Sequence, residues 1–288
     1  MAVKNKKSAF TLVEMLAVIA IIAILVAILI PALTMVRNMA KETKQKVQLT
    51  TIEMALTAFK DDYGDYPPSE RTPDQLNGDY LGAQKLAEAI FGWDLMGFHP
   101  DSAWRADGAD RNGGNDAYDP PTPDVNNLKQ RRGPYLELAT ASVFRLRDLF
   151  GSSPGALEPD TYVICDVFGR KPVTIGGKTV KAGAPILYYK ANTASKTIST
   201  GASADRIYNF RDNDELVFVK ETADQANYPG LSTPINPLSG GMSFFYGYIR
   251  DPKIPASAPP WPYRPDSYLL ISAGVDGFYG TSDDICNF

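Results

Sequence analysis

The chain contains 288 residues, with 29 lysines and arginines against 33 aspartates and glutamates, and its formal net charge is −4. This acidic balance lacks the basic footprint of nucleic-acid-binding domains, so we expect no nucleic-acid partner. A single histidine excludes metal sites built from paired histidines, and the chain has no P-loop or H-E-x-x-H motif. The chain is long enough to form one sizeable globular core.

The first predicted element is an apolar helix that follows a short basic leader. Residues 1–9 contain three lysines, and the apolar run of residues 10–33 exceeds the roughly 20 residues that span a bilayer. The run is too long for a secretory signal peptide, and no small-residue cleavage site follows it. The lysines before the run predict a single-pass protein with a cytoplasmic leader and an external domain from about Val36 onward.

Glu14 is the only charged residue of the apolar run. An acid inside a lipid-spanning helix is costly and normally has a functional partner. Alternatively, Glu14 lies at the level of the lipid headgroups and needs no partner. The residue pattern alone leaves both explanations open.

The helix is predicted to continue beyond Pro31 as an amphipathic half, residues 34–64. Apolar residues recur there at spacings compatible with one helical face, and these are Met35, Met39, Val47, Ile52, Leu56 and Phe59. Gly64 is a suitable carboxyl-terminal cap, and two prolines follow it as stop signals. The apolar stripe needs a surface to cover, which we expect to be a β-sheet.

Residues 65–288 are predicted to complete an α+β fold, in which the long helix packs on a small antiparallel sheet. We expect short helices over residues 83–93 and 141–150, and a long loop over residues 107–127, which are rich in Gly, Asp, Asn and Pro. Turn formers separate the strand-like segments, which are residues 162–167, 185–190, 216–220, 243–249 and 268–272. Residues 252–265 are expected to form an extended, proline-rich connection.

The cysteines and the histidine give no catalytic site. Cys165 and Cys286 fall in the predicted external domain, where oxidising conditions permit a disulfide, but two buried thiols fit the pattern equally well. His99 has Asp101 nearby, yet a lone histidine without a spaced partner is far more often structural than metal-binding. We therefore assign no catalytic residue and do not expect an enzyme.

Carboxylates and glycines are concentrated at the end of the chain, in residues 272–286. Asp276, Asp283 and Asp284 are separated by glycines that allow tight turns. Hard oxygen donors on such a loop suit Ca²⁺, which takes six to eight oxygen ligands. The spacing is not that of an EF-hand, and a solvated hairpin without metal is the alternative explanation.

The leader and the apolar run together resemble the class III leader of type IV pilins and of type II secretion pseudopilins. The residues that carry this resemblance are the small Ala9 and the run that opens Phe10-Thr11-Leu12-Val13-Glu14. The resemblance implies cleavage by prepilin peptidase between Ala9 and Phe10, and N-methylation of the new terminus at Phe10. It also implies that Glu14 pairs with the terminal amine of a neighbouring subunit. The family commonly has Gly where this chain has Ala9.

The tail resembles the C-terminal calcium loop of the major pseudopilin of type II secretion. Residues 63–67, 133–136 and 166–170 fit that family in the same order. The resemblance implies a set of calcium ligands, namely the carboxylates of Asp276, Asp283 and Asp284 and the backbone oxygens of Ala273 and Phe278. The chain departs from the family in reading Asp166-Val167-Phe168-Gly169 where Asp-Pro-Trp-Gly is usual.

The resemblance therefore implies a structural pseudopilin, closest to the major subunit, that carries Ca²⁺ and forms a periplasmic filament from the inner membrane. Its implied partners are further copies of itself, other pseudopilins, prepilin peptidase and the membrane assembly platform. The extra length relative to that subunit lies in residues 69–132 and 191–265, which are predicted insertions. Three alternatives stay open: a minor pilin or pseudopilin, an adhesin-like protein that binds carbohydrate or another pilin, and, less favoured, a membrane-anchored enzyme with paired carboxylates.

Overall fold

The computed structural model describes residues 11–110, 117–118, 125–138, 140–196, 198, 206–255, 258 and 260–288. The chain divides into two compact units, Met1–Thr43 and Lys44–Phe288, and each is described by itself. The helices are α1 (Leu12–Tyr63), α2 (Gly82–Phe91), α3 (Val125–Gln130), α4 (Leu146–Phe150), α5 (Asp214–Asn227) and α6 (Met242–Tyr248). The strands are β1 (Val143–Arg145), β2 (Tyr162–Ile164), β3 (Lys171–Ile175), β4 (Lys178–Ala182), β5 (Leu187–Lys190), β6 (Tyr268–Ser272) and β7 (Ile285–Cys286).

The long helix α1 has the predicted extent. Pro31 lies inside it and does not end it. Gly64, which follows the last helical residue, has a left-handed φ of +86°, and its N–H donates to the carbonyl oxygen of Lys60 at 2.7 Å. One of the last free carbonyls of the helix is thereby satisfied, and the predicted glycine cap is confirmed.

The centre of the second unit is an antiparallel sheet. Strand β6 lies between β5 and β7, and Leu187 on β5 pairs with Ile271 on β6. Two backbone hydrogen bonds join β2 to the residues just before β5: Asp166 N donates to Ala184 O at 2.8 Å, and Ile186 N donates to Ile164 O at 2.7 Å. The strand order is therefore β1-β2-β5-β6-β7, which confirms the predicted α+β fold with a small antiparallel sheet.

One face of the sheet is covered by α2 and by the part of α1 that belongs to the second unit. Ile52 and Leu56 are fully buried in one apolar cluster with Tyr188 and Leu270 of the two central strands. All ten residues of α2 are buried as well. The predicted packing of the amphipathic stripe on a sheet is confirmed for Ile52 and Leu56.

The stripe itself is correct from Ile52 onward but wrong at Met35, Met39 and Val47, which are 65%, 55% and 60% exposed. Gln45 and Leu49 are buried instead, because the buried positions reach Ile52 in steps of four and three residues, and Val47 lies off that line. Gln45 Oε1 accepts a hydrogen bond from Val167 N at 2.9 Å, whereas its Nε2 is buried without a partner among the described residues. A polar side chain at a core position was not predictable from apolar spacing.

The opposite face of the sheet is covered by α4, α5 and α6. Leu187 and Ile271, which alternate with the residues that face α1, share an apolar cluster with Leu149, Leu216 and Phe245 of these three helices. The two central strands are therefore buried on both sides, and the second unit has three layers: helices, sheet, helices. Residues from the predicted insertion 191–265 form most of the second helical layer.

Several local predictions are wrong. Residues 216–220, predicted as a strand, lie in α5, and residues 243–248 of the predicted strand 243–249 lie in α6. A short apolar run is compatible with a buried strand and with the buried side of a helix, so the pattern could not distinguish the two. Residues 141–150, predicted as a helix, contain β1 before α4 begins.

Strands β3, β4 and β7 were not predicted either. The β3–β4 hairpin turns at Gly176 and Gly177, whose φ values of +56° and +78° are those of a two-residue hairpin turn. The predicted loop over residues 107–127 lies largely outside the described residues.

Candidate functional sites

The carboxylate of Glu14 closes a capping box at the start of α1. Thr11 N and Thr11 Oγ1 each donate to Glu14 Oε2 at 2.8 Å, and Glu14 N donates back to Thr11 Oγ1 at 3.3 Å. Thr11 is therefore the amino-terminal cap, and Glu14 is the third residue of the helix. Sequence reasoning gave Glu14 a role in assembly but missed this local one. The predicted cleavage and methylation residues, Ala9 and Phe10, lie outside the described residues.

The first unit exposes the apolar side chains of α1. Its large hydrophobic residues between Leu12 and Val36 are each at least 45% exposed. In the described residues, α1 is the one helix long and apolar enough to cross a membrane, judged by length and composition. Such an apolar surface must be covered by lipid or by other helices, which agrees with the predicted membrane segment.

The predicted calcium residues lie on the C-terminal loop, which we define as residues 273–284 between β6 and β7. The structure brings Asp276 and Asp283 together, since Asp276 N donates to Asp283 Oδ2 at 2.7 Å. Burial, followed by the nearby Asp283 carboxylate, raises the pKa of Asp276. Burial also acts to raise the pKa of Asp283, but hydrogen bonds from Thr281 and Asp276 outweigh it and lower this pKa.

The third predicted carboxylate, that of Asp284, also contacts α6. Asp284 Oδ2 accepts hydrogen bonds from Gly280 N at 2.7 Å and from Tyr248 Oη at 2.6 Å, so it is directed towards α6. Burial raises the pKa of Asp284 to about 6. Its other oxygen, Oδ1, lies 3.4 Å from Thr281 Oγ1, which also donates to Asp283 Oδ1 at 2.7 Å. Asp284 is therefore close to the other two acids, but one of its oxygens is bound to Tyr248 of α6.

The two predicted backbone ligands already have hydrogen-bond partners. Ala273 O accepts from Gly277 N at 2.9 Å, and Phe278 O accepts from Thr281 Oγ1 at 3.2 Å. Two further loop carbonyls, those of Gly274 and Asp276, accept hydrogen bonds from the Arg170 guanidinium. A positive charge from the protein therefore already contacts the loop backbone.

The donor set fits the chemistry of Ca²⁺ only in part. Carboxylate, hydroxyl and carbonyl oxygens are the ligands that calcium takes. Among the described residues, however, no group of three or more His, Cys, Asp or Glu side chains is placed to hold a metal ion. A calcium ion bound by all three carboxylates would compete with the hydrogen bond from Tyr248 to Asp284 Oδ2.

The loop is also held by Asn236, which sequence reasoning missed. This fully buried side chain accepts a hydrogen bond from Tyr279 N at 2.9 Å through Oδ1. Its amide Nδ2 donates to Glu221 Oε2 at 3.0 Å and to Asp224 Oδ2 at 2.8 Å on α5. Asn236 therefore connects helix α5 of the second helical layer to the C-terminal loop. No local sequence motif could have identified this residue.

The two cysteines are free, which corrects the disulfide alternative. Cys165 follows β2 and pairs with Pro185, whereas Cys286 on β7 pairs with Ile271. Strands β5 and β6 lie between them, which implies a separation of about 14 Å at the usual strand spacing. This exceeds the roughly 7 Å between Cα atoms that a disulfide can bridge. Burial raises the pKa of the Cys286 thiol to about 12.

Residues 151–155 read Gly-Ser-Ser-Pro-Gly and so have the form of a G-x-S-x-G nucleophile motif. In hydrolases this motif forms a sharp turn between a strand and a helix. Here it follows helix α4, and Ser153 is exposed. The local structure therefore lacks the strand–turn–helix context that the motif requires.

His99, the one histidine of the chain, is 4% exposed, and its Nδ1 accepts a hydrogen bond from Asp101 N at 3.2 Å.

Comparison with known proteins gives one match. Residues 4–30 match the prokaryotic N-terminal methylation motif. No curated protein and no solved structure shows a significant match to the chain. Proteins with this motif are structural and assemble into pilus-like filaments with other pilins. The chain thus carries, at residues 4–30, the amino-terminal motif of a type IV pilin-like or pseudopilin-like precursor.

Proposed function

We propose that the chain is a structural pseudopilin of a type II secretion-like system, which assembles from the inner membrane into a periplasmic filament. The observation that carries this proposal is the match of residues 4–30 to the methylation motif, with Glu14 as the one acid of the apolar run. Self-association is supported by the exposed apolar surface of α1, which a bundle of the same helices would cover.

Processing would supply the partner that Glu14 needs. Cleavage between Ala9 and Phe10 creates an ammonium at the new amino terminus, and the carboxylate of Glu14 on a neighbouring subunit neutralises it. Each charge alone is costly in lipid, so pairing favours one register of docking. Within one subunit, Oε2 of Glu14 accepts the capping-box hydrogen bonds from Thr11. In the filament, the terminal amine of the neighbouring subunit would bind to this same carboxylate.

The register role and the capping role of Glu14 can be separated by substitution. Glu14→Gln keeps a capping-box acceptor but removes the charge, whereas Thr11→Ala removes the cap and keeps the charge. We expect Glu14→Gln to enter the membrane but not the filament, and Thr11→Ala to enter both. Glu42→Gln, which changes an acid of the same helix outside the apolar run, is the matched control. Filaments of normal length from Glu14→Gln would refute the register role.

Processing is tested by coexpression with prepilin peptidase and mass spectrometry of the amino terminus. We expect a chain that begins at methylated Phe10. A chain that retains Met1 under conditions where a known prepilin is cleaved would contradict the pseudopilin proposal. Recovery in the membrane fraction of both forms is the control for insertion.

We further propose that the C-terminal loop binds Ca²⁺, with Asp276 and Asp283 as the first ligands. Their close approach supports this, because the two carboxylates interact directly and a divalent cation would neutralise both. At ten times its Kd, calcium would stabilise the folded chain by about 1.4 kcal/mol. We expect calcium to raise the melting temperature of the full-length chain in detergent, and Asp283→Asn to abolish the increase. Asp266→Asn, at an exposed acid outside the loop, should retain it; an unchanged melting temperature in the parent chain would refute calcium binding.

A further inference from the structure

A concavity of about 510 Å³ lies in the second unit, bounded by the β3–β4 hairpin, α5 and the C-terminal loop. Its size is that of a small-molecule site, for which 300–1,000 Å³ is typical. The proposed pseudopilin function does not use it. Its lining combines cationic side chains with apolar and aromatic ones, and this combination restricts what could bind.

Two cations of the lining form no salt bridge among the described residues. The Arg170 guanidinium donates to the carbonyl oxygens of Gly274 and Asp276, and Lys171 Nζ donates to the carbonyl oxygen of Leu149. Carbonyl groups are neutral, and neither cation forms a salt bridge within the part of the chain that the structure describes. The concavity therefore presents two cations that form no salt bridge, on a chain whose net charge is −4. Within the described ranges, Lys171 has no acid near it, and the acid near Arg170 is the buried Asp166.

The third cation of the lining is already neutralised. Lys220 Nζ lies 2.5 Å from Asp224 Oδ2, and both side chains are largely buried. Behind the wall, Asp166 is buried and accepts a hydrogen bond from Phe168 N at 3.0 Å. Burial raises the pKa of Asp166 to about 6, although the nearby Arg170 opposes this. The charge available to a ligand therefore comes from Arg170 and Lys171.

The remaining walls are apolar and aromatic. Tyr228 at the end of α5 and Phe278 on the C-terminal loop meet edge to face, with ring centroids 5.7 Å apart and an interplanar angle of 88°. Phe150 and Pro172 line another part of the same wall. Tyr228 is 45% exposed, which leaves ring surface open to a ligand. Such walls favour a flat or aromatic body over a small hydrated anion.

We propose that this concavity binds a small organic carboxylate with an apolar or aromatic body. The carboxylate would lie against Arg170 and Lys171, and the body would lie against Tyr228 and Phe278. A guanidinium and an ammonium together can give a carboxylate several charge-assisted hydrogen bonds. The site binds its ligand without a covalent step, and it is independent of filament assembly.

The test uses the full-length chain in detergent micelles and two probes that differ in one group. N-acetylphenylalanine carries the carboxylate, and N-acetylphenylalaninamide has the same body without the charge. Titration followed by saturation-transfer NMR gives both affinities. We expect the acid to bind at least about tenfold more tightly than the amide, since hydrogen bonds to charged groups are worth that much or more.

Variants then locate the binding site. Lys171→Met should weaken the acid about tenfold and leave the amide unchanged, whereas Lys171→Arg should restore binding of the acid. Lys178→Met, a lysine of the same hairpin that does not line the concavity, is the matched control and should bind as the parent does. Equal affinity for both probes would overturn the proposal. Equal losses in Lys171→Met and Lys178→Met would also overturn it, because they would indicate a general charge effect.

Discussion

Replacement of Glu88 by Gln should change how the stability of the second unit depends on pH. Glu88 lies on α2 and is 2% exposed, and Ser102 Oγ donates to its Oε1 at 2.5 Å. Burial raises the pKa of Glu88 to about 7, although the hydrogen bond from Ser102 and the charge of Lys85 oppose this. The folded state therefore holds a proton on Glu88 at pH values where the unfolded chain has lost it.

The magnitude follows from the two pKa values. The folded pKa, about 7, is higher than the ordinary value of 4.5, so the contribution to stability is complete below pH 4.5 and is lost as the pH rises through 7. Proton linkage gives a loss of about 2 kcal/mol between pH 5 and pH 7.5 from this group. Gln has nearly the same shape and no proton to lose, so the variant should lack this part of the pH dependence.

The assay is urea unfolding of the full-length chain in detergent, followed by tryptophan fluorescence at several pH values from 5 to 7.5. The stability of Glu88→Gln relative to the parent should increase by about 2 kcal/mol across this range. Asp212, whose pKa burial also raises to about 7, keeps a residual slope in both proteins. Glu137→Gln, at an exposed position, is the control and should follow the parent. A constant offset between Glu88→Gln and the parent would refute the reasoning.

Three further outcomes are expected. Ile52→Ala should destabilise the chain by about 2–4 kcal/mol in urea unfolding, because Ile52 is fully buried against the sheet, whereas Met54→Ala, at a 68% exposed neighbour, should change stability by less than about 0.5 kcal/mol. Asn236→Ala should cost about 2–3 kcal/mol and speed amide exchange at Tyr279, because a buried carboxylate and a buried N–H lose a partner. Tyr248→Phe should raise the pKa of Asp284 further above its value of about 6, since the lost hydrogen bond favours the ionised form; NMR titration of the carboxyl carbon measures this, and an unchanged pKa would contradict the contact.

The parts of the fold that the sequence predicted have long or repeated signals. The length of α1 and its end at Gly64 agree with the prediction. Strands β2, β5 and β6 lie within the predicted ranges 162–167, 185–190 and 268–272, although β2 and β5 are shorter than predicted. Helices α5 and α6 were mistaken for strands because runs of five to seven residues carry too little periodicity. What decided their form is the sheet face that they cover, and this contact is not visible in a local segment.

The candidate sites show the same difference between signals within one segment, which could be predicted, and contacts between distant segments, which could not. Glu14 was found from one charge in an apolar run, which is a local contrast. Arg170, Tyr248 and Asn236 reach the C-terminal loop from residues 36 to 106 positions away in sequence, so no spacing pattern could group them. The sequence grouped Asp276, Asp283 and Asp284 on one loop, but it did not predict the hydrogen bond from Tyr248 to Asp284.

The second helical layer has a consequence for how this protein could change in length. Strands β5 and β6 are apolar at successive positions, as strands buried on both faces are. Loss of residues 191–265 would therefore not leave a smaller stable domain, because Tyr189, Leu269 and Ile271 would become an open apolar surface prone to aggregation. A shorter descendant would need polar substitutions at alternate positions of both strands in the same lineage. The second helical layer therefore cannot be lost by itself, because the apolar strand residues that it covers would have to change as well.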